Sequence, residues 1–155
     1  MTLTRAIVEG ILIKRCGALM TACGLDGVTN SGINSDLNDP IAFSLKLIGN
    51  SVTNLSSVSD SDLSNIESND EMKMIDIAEY RLLITCLNSY NYVDISVGSR
   101  SERYSQIADR LEKRIKSKKE DLNTIYGIGA GTLEAGHIAL DFVEHDYEEM
   151  IEESE

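Results

Sequence analysis

The sequence predicts a mainly α-helical protein: a small bundle of about four helices followed by an extended, partly β C-terminal tail. Three observations predict it. Apolar residues in the longer segments recur at the three- and four-residue spacing of a helix with one buried face. Helix-start and helix-stop residues bracket those segments. Alternation with apolar residues on one side occurs in two short runs, Val93 to Val97 and His137 to Val143.

A first helix is expected from about Thr4 to Cys23. Leu3, Ile7, Ile11, Ala18 and Ala22 form its apolar face, with Val8, Leu12 and Leu19 beside it. Gly10 and Gly17 sit inside this helix, and each costs about 1 kcal/mol against alanine. Close packing against a neighbour would offset that cost, and Gly24 ends the helix. Leu25 to Asp39 is a polar loop of Gly, Asn, Asp, Ser and Thr. Asp39 as N-cap and Pro40, the one proline, as first helical residue then open a second helix to about Ile48. Ile41, Leu45 and Ile48 share its face. The stretch from Ser51 to Asn69 reads either as disordered or as holding one helical turn near Asp60 to Ile66, with Ser59 as its cap.

A third helix spans about Asp70 to Tyr90, with Met72, Ile75, Ala78, Leu82, Leu83, Cys86, Leu87 and Tyr90 as a broad stripe. After the extended piece Val93 to Gly98 comes the longest helical pattern, from Ser99 to Tyr126. Ser99 and Glu102 can form a capping box. Tyr104, Ile107, Ala108, Leu111, Ile115, Leu122, Ile125 and Tyr126 carry the helical period, and Gly127 ends it. The third helix and this one have the length to form an antiparallel pair. The last helix holds eight of the fourteen cations, which read as a basic outward face: Arg100, Arg103, Arg110, Lys113, Arg114, Lys116, Lys118 and Lys119. Arg103, Arg110 and Arg114 are its candidate docking residues for an acidic segment. Glu102, Asp109 and Glu112 would partly neutralise it through pairs on neighbouring turns.

Two parts follow: a helical domain over 1–126 and a glycine-hinged acidic arm over 127–155. In the arm, Ile138, Leu140 and Phe142 form one apolar edge with no obvious strand partner. From Glu134 to the end there are nine carboxylates and no Lys or Arg.

The totals narrow the function classes. A chain of 155 residues buries about 68–70% of its unfolded surface, so a core needs no covalent staple. No apolar run approaches the length of a membrane span, and no signal peptide is evident. Three unpaired cysteines, Cys16, Cys23 and Cys86, suit a reducing cytoplasm and read as small core residues. The net charge of −12 opposes tight nucleic-acid binding. Gly127 to Thr132 mimics a phosphate loop, but it follows a helix and lacks both the third glycine and the lysine of the known fingerprints. His137, Asp141 and His145 are evenly spaced but have no cysteine nearby, so they read as polar tail residues and not a metal site. No cofactor and no catalytic constellation is expected.

Several stretches in order resemble the head-to-tail adaptor (connector, or head-completion) proteins of tailed bacteriophages. They are Cys23-Gly24-Leu25-Asp26-Gly27, Leu37-Asn38-Asp39-Pro40-Ile41, Val93 to Gly98 leading into Ser101-Glu102 and Ser105-Gln106, Tyr126-Gly127-Ile128-Gly129, and Leu133 to Gly136 before Leu140-Asp141-Phe142. Adaptors often carry proline where Ser99 stands, and the match is weakest over Ser51 to Asn69. The resemblance implies a non-enzymatic virion protein that forms a ring, usually a dodecamer, beneath the portal. Such a ring extends the channel for genomic double-stranded DNA and meets the next connector or tail protein. It would reside at the head-tail interface, and in the host cytoplasm during assembly. Ile138, Leu140 and Phe142 would then serve the portal or a neighbouring subunit. The other reading is a small cytoplasmic helical regulatory or protein-binding module; a cysteine- or metal-dependent enzyme is a third.

Overall fold

The computed structural model describes residues 3–94 and 101–129, with side chains for 3–90 and 106–129. Its architecture is mainly helical: α1 is Arg5–Ala22, α2 Asn38–Leu47, α3 Asp60–Leu63, α4 Glu71–Asp94 and α5 Ser101–Tyr126. A 3-10 turn, Ser35–Leu37, leads directly into α2. The chain divides within α5 into two units, Met1–Lys118 and Lys119–Glu155.

The helix ends follow the chemistry of their residues. Thr4 Oγ1 accepts from the Ile7 amide at the start of α1. At its end Gly24 takes a φ of 79°, which lets the Leu25 amide reach the Met20 carbonyl at 2.8 Å. α2 closes the same way: Gly49 has a φ of 90° and the Asn50 amide donates to the Leu45 carbonyl at 2.9 Å. Asp39 is not the cap of α2. The 3-10 turn supplies Leu37 at that position, and Asp39 falls in the first turn, where amides lack helical partners and Pro40 costs no hydrogen bond. Ser51 to Asn69 is ordered around α3, as the helical-turn alternative has it. Ser59 donates from its amide and hydroxyl to Asp62 Oδ2, while Thr53 donates from its amide and hydroxyl to Oδ1.

α4 is the central element of Met1–Lys118. It packs along α2 most extensively and along α1 next. Met74, Ile75, Ile77, Ala78, Glu79, Tyr80, Leu82 and Leu83 are all buried, so α4 is enclosed on more than one face. Met72, assigned to the apolar stripe from sequence, is 51% exposed. α4 also continues through Val93 and Asp94. The extended reading of those two residues is corrected: no Gly or Pro lies between Tyr90 and Asp94 to stop the helix. The face of α1 is rotated from the expected one. Val8, Leu12, Cys16 and Met20 are its buried stripe, whereas Ala18 and Ala22 are exposed.

α5 runs antiparallel to α4, since Arg114 reaches Glu79 and, one turn on, Lys118 reaches Asp76 further back along α4. It is not the principal partner of α4, however. Leu111 is fully buried, and Ile107, Ala108 and Ile115 are half-buried against the core. In the second unit, Gly127 ends α5 with a φ of 67°, and Ile125, expected on the apolar face, is 65% exposed. Ser99, Ile95 to Gly98, Gly131 and Gly136, and the alternating run from His137 to Val143 lie outside the described residues.

Leu82 is fully buried, so Leu82→Ala should destabilise by about 2–5 kcal/mol in urea unfolding. Met72→Ala should change stability by less than about 0.5 kcal/mol. Equal losses at the two positions would contradict the burial of Leu82 and the exposure of Met72.

Candidate functional site

Two polar constructions stand out in Met1–Lys118. The first begins on α1. Arg5 and Glu9 lie on the same face as Val8 and Leu12, the face that turns inward. Arg5 is 3% and Glu9 0% exposed, and Arg5 Nε donates to Glu9 Oε1 at 2.8 Å. A buried pair of this kind needs further hydrogen bonds to offset its desolvation. The loop after α1 provides them. The Gly32 amide donates to Glu9 Oε2 at 2.7 Å, the Asn34 amide donates to Oε1 at 3.0 Å, and Arg5 Nη2 donates to the Asn34 carbonyl at 2.9 Å.

The loop is thereby strapped back along α1. A Cβ on Gly17 would stand 2.7 Å from the Gly27 carbonyl oxygen, so the two backbones meet where neither residue has a side chain. Near the other end of the strap, Gly32 faces the α1 backbone at Ala6. Internal bonds hold its shape. Asp26 Oδ1 accepts from the Val28 and Thr29 amides, and Asn34 Nδ2 donates to the Asp26 and Thr29 carbonyls. Thus the loop expected as a simple polar connection has a fixed backbone. It turns Val28 and Ile33 outward, 77% and 79% exposed.

The second construction joins α1, α4 and α5. Arg15 Nη1 donates to Asp76 Oδ1 and Glu79 Oε2, both at 2.9 Å. Arg114 Nη2 donates to Glu79 Oε1 at 3.0 Å, and Lys118 Nζ lies 2.8 Å from Asp76 Oδ1 and 3.0 Å from Glu79 Oε2. Arg114 also donates to the Arg15 carbonyl at 3.2 Å. Burial acts to raise the Glu79 carboxyl, but Lys118, Arg15 and Arg114 outweigh it and hold the group below its ordinary value.

This junction changes the reading of the basic helix. Arg114 and Lys118 stand three and seven residues after Leu111, on its buried face. They turn to carboxylates of α4. Arg110 is exposed, as are Lys113 and Lys116, but Asp109, Glu112, Glu120 and Asp121 are exposed as well. The described outer face of α5 is mixed in sign, not basic. Arg110 is exposed, whereas Arg114, one turn on, is taken up by Glu79, and the Arg103 side chain lies outside the described residues. So do Ile138, Leu140, Phe142, His137, Asp141 and His145.

A surface cavity of about 410 Å³ lies at the start of α1, lined by Thr4, Ala6, Ser31, Ser57 and Asp60 among others. The carboxylate that suits such a helix end is already there: Asp60 Oδ1 accepts from the Arg5 amide. All three cysteines are free and buried. Burial pushes the Cys16 thiol up to about 11, so it stays protonated at neutral pH. Among the described residues no group of three or more His, Cys, Asp or Glu is placed to hold a metal ion, and no helix is long and apolar enough to cross a membrane.

Glu9→Ala should destabilise by about 3–5 kcal/mol, because it strands a buried arginine and frees two strap amides. The acid response follows from the carboxylates. Glu79 is depressed below its ordinary value of 4.5, and Asp62 is held at about 2 by the Ser59 and Thr53 amides, with burial opposing. Their stabilisation is complete above the unfolded values and is lost as pH falls through the folded ones. Urea midpoints should fall between about pH 5 and pH 2, and Glu79→Gln should flatten that slope. No protein-family model, curated protein or solved structure matches the chain.

Proposed function

We propose that this chain is a ring-forming head-to-tail adaptor subunit of a tailed bacteriophage, a structural protein without enzymatic activity. The strap is the observation that carries this reading. A surface that is rigid before assembly associates more strongly, since ordering a loop at the interface weakens association. Here the loop is locked by buried charge and by its own side chains, and it presents two apolar residues to solvent. Three of the five stretches resembling adaptors fall at turning points of the chain. Cys23 to Gly27 forms the end of α1 and the close crossing, Leu37 to Ile41 opens α2, and Tyr126 to Gly129 leaves α5.

In this reading Val28 and Ile33 meet the adjoining subunit. The arm from Gly127 onward, with Ile138, Leu140 and Phe142, joins the portal or a neighbour by adding a strand to it. The next connector or tail protein docks on the far side of the ring. Genomic DNA passes through the lumen without specific contacts, and the charge of −12 suits a wall along which phosphates must slide.

Mixing the full chain with the portal protein encoded in the same genome should give rings under the portal in negative-stain electron micrographs. Deleting residues 136–155 should leave the helical circular dichroism unchanged and abolish joining to the portal. Random duplex DNA at physiological salt should bind more weakly than about 1 μM by anisotropy. A chain that stays monomeric and ignores the portal would overturn the adaptor reading and favour the helical regulatory or protein-binding module, in which the same strap would serve a different partner.

A further inference from the structure

We propose that residues 106–118 of α5 form an ionically latched arm, which leaves α1, α2 and α4 as a unit while those helices stay folded. The first reason is how the arm is held. Only Leu111 of this segment is fully buried; Ile107, Ala108 and Ile115 are half-buried. The rest of its hold is polar. Arg114 and Lys118 reach across to Glu79 and Asp76; water approaches the Arg114 end, 38% exposed, more readily than Lys118 or the two largely buried carboxylates. Salt screens such half-buried pairs less than fully exposed ones but still weakens them, whereas it does not weaken an apolar seam.

The second reason is what remains when the arm departs. Ordinarily, removing the cations from a buried carboxylate leaves a stranded charge and unfolds the neighbourhood. Here Arg15 lies on α1, and its Nη1 bonds both Asp76 Oδ1 and Glu79 Oε2. Both carboxylates therefore keep a cation after Arg114 and Lys118 have gone. The junction is built from two sets of partners, one on the fixed body and one on the arm.

The third reason is that the arm can remain a helix. Asp109 and Lys113, and Glu112 and Lys116, stand four apart with the acid first, the order that supports an isolated helix. Its inner face then carries Ile107, Leu111 and Ile115 with Arg114 and Lys118.

Hydrogen–deuterium exchange of the intact chain at neutral pH tests this without a mutation. Between low salt and 1 M sodium chloride, where the screening length shrinks to about 3 Å, amides of 106–118 should exchange about tenfold faster while those of α1 and the first turns of α4 keep their protection. The double substitution Arg114→Met, Lys118→Met should show the fast rate already at low salt and lose the salt response. Exchange in 106–118 that ignores salt, or that rises only together with α1 and α4, would overturn the proposal. The wild-type titration decides the matter even if the double variant does not fold.

Discussion

The Glu9 carboxylate is the constraint on which the first half of the molecule depends. It is fully buried on the inner face of α1, where an unaccompanied charge would not survive. Three donors hold it: Arg5 Nε from its own helix and the amides of Gly32 and Asn34 from the loop. The loop cannot drift without stranding the charge, and the charge cannot sit there without the loop. That mutual need turns a polar, glycine-rich connection into a strap with one shape. The glycines at 17 and 27 then follow as a requirement of the close crossing. Replacing such a pair with apolar residues is often neutral or stabilising in proteins, so the pair is better understood as specifying a conformation than as strengthening the fold.

The other end of α1 repeats the logic with a different result. Arg15 bridges Asp76 and Glu79, and α5 adds Arg114 and Lys118 to the same carboxylates. At the strap, the partners of the buried charge come from neighbouring backbone that has nowhere else to go. At the junction, part of the partnership belongs to a separate helix whose apolar hold is slight. One site is locked and the other is divisible, and the difference lies in which element owns the donors.

Much of the fold was legible because helix chemistry is local. Thr4, Gly24, Gly49, Ser59 with Asp62, and Gly127 all act within a few residues of themselves, and each behaves as its type predicts. The face of α1 and the surroundings of α4 were less legible. Periodicity says that a helix has a buried side, but a helix enclosed by two others has no single stripe to find. The polar constructions were hidden for a further reason. Arg5 and Glu9 could have been noticed as charges on the line of Val8 and Leu12, and Arg114 and Lys118 as charges on the line of Leu111. Their partners, however, lie 25 residues away in one case and 35 in the other, and nothing local announces them. Counting the cations of α5 as an outward face ignored that register.

The amide exchange of Gly32 and Asn34, followed by nuclear magnetic resonance, tests the central claim most directly. A solvent-facing loop of this composition would exchange its amides almost freely. If the strap is locked on Glu9, these two amides should exchange as slowly as those in the middle of α1, through unfolding of the unit as a whole. Both should become fast together in Glu9→Gln, which removes the charge at nearly constant shape. Free exchange of either amide in the unaltered protein would contradict the account.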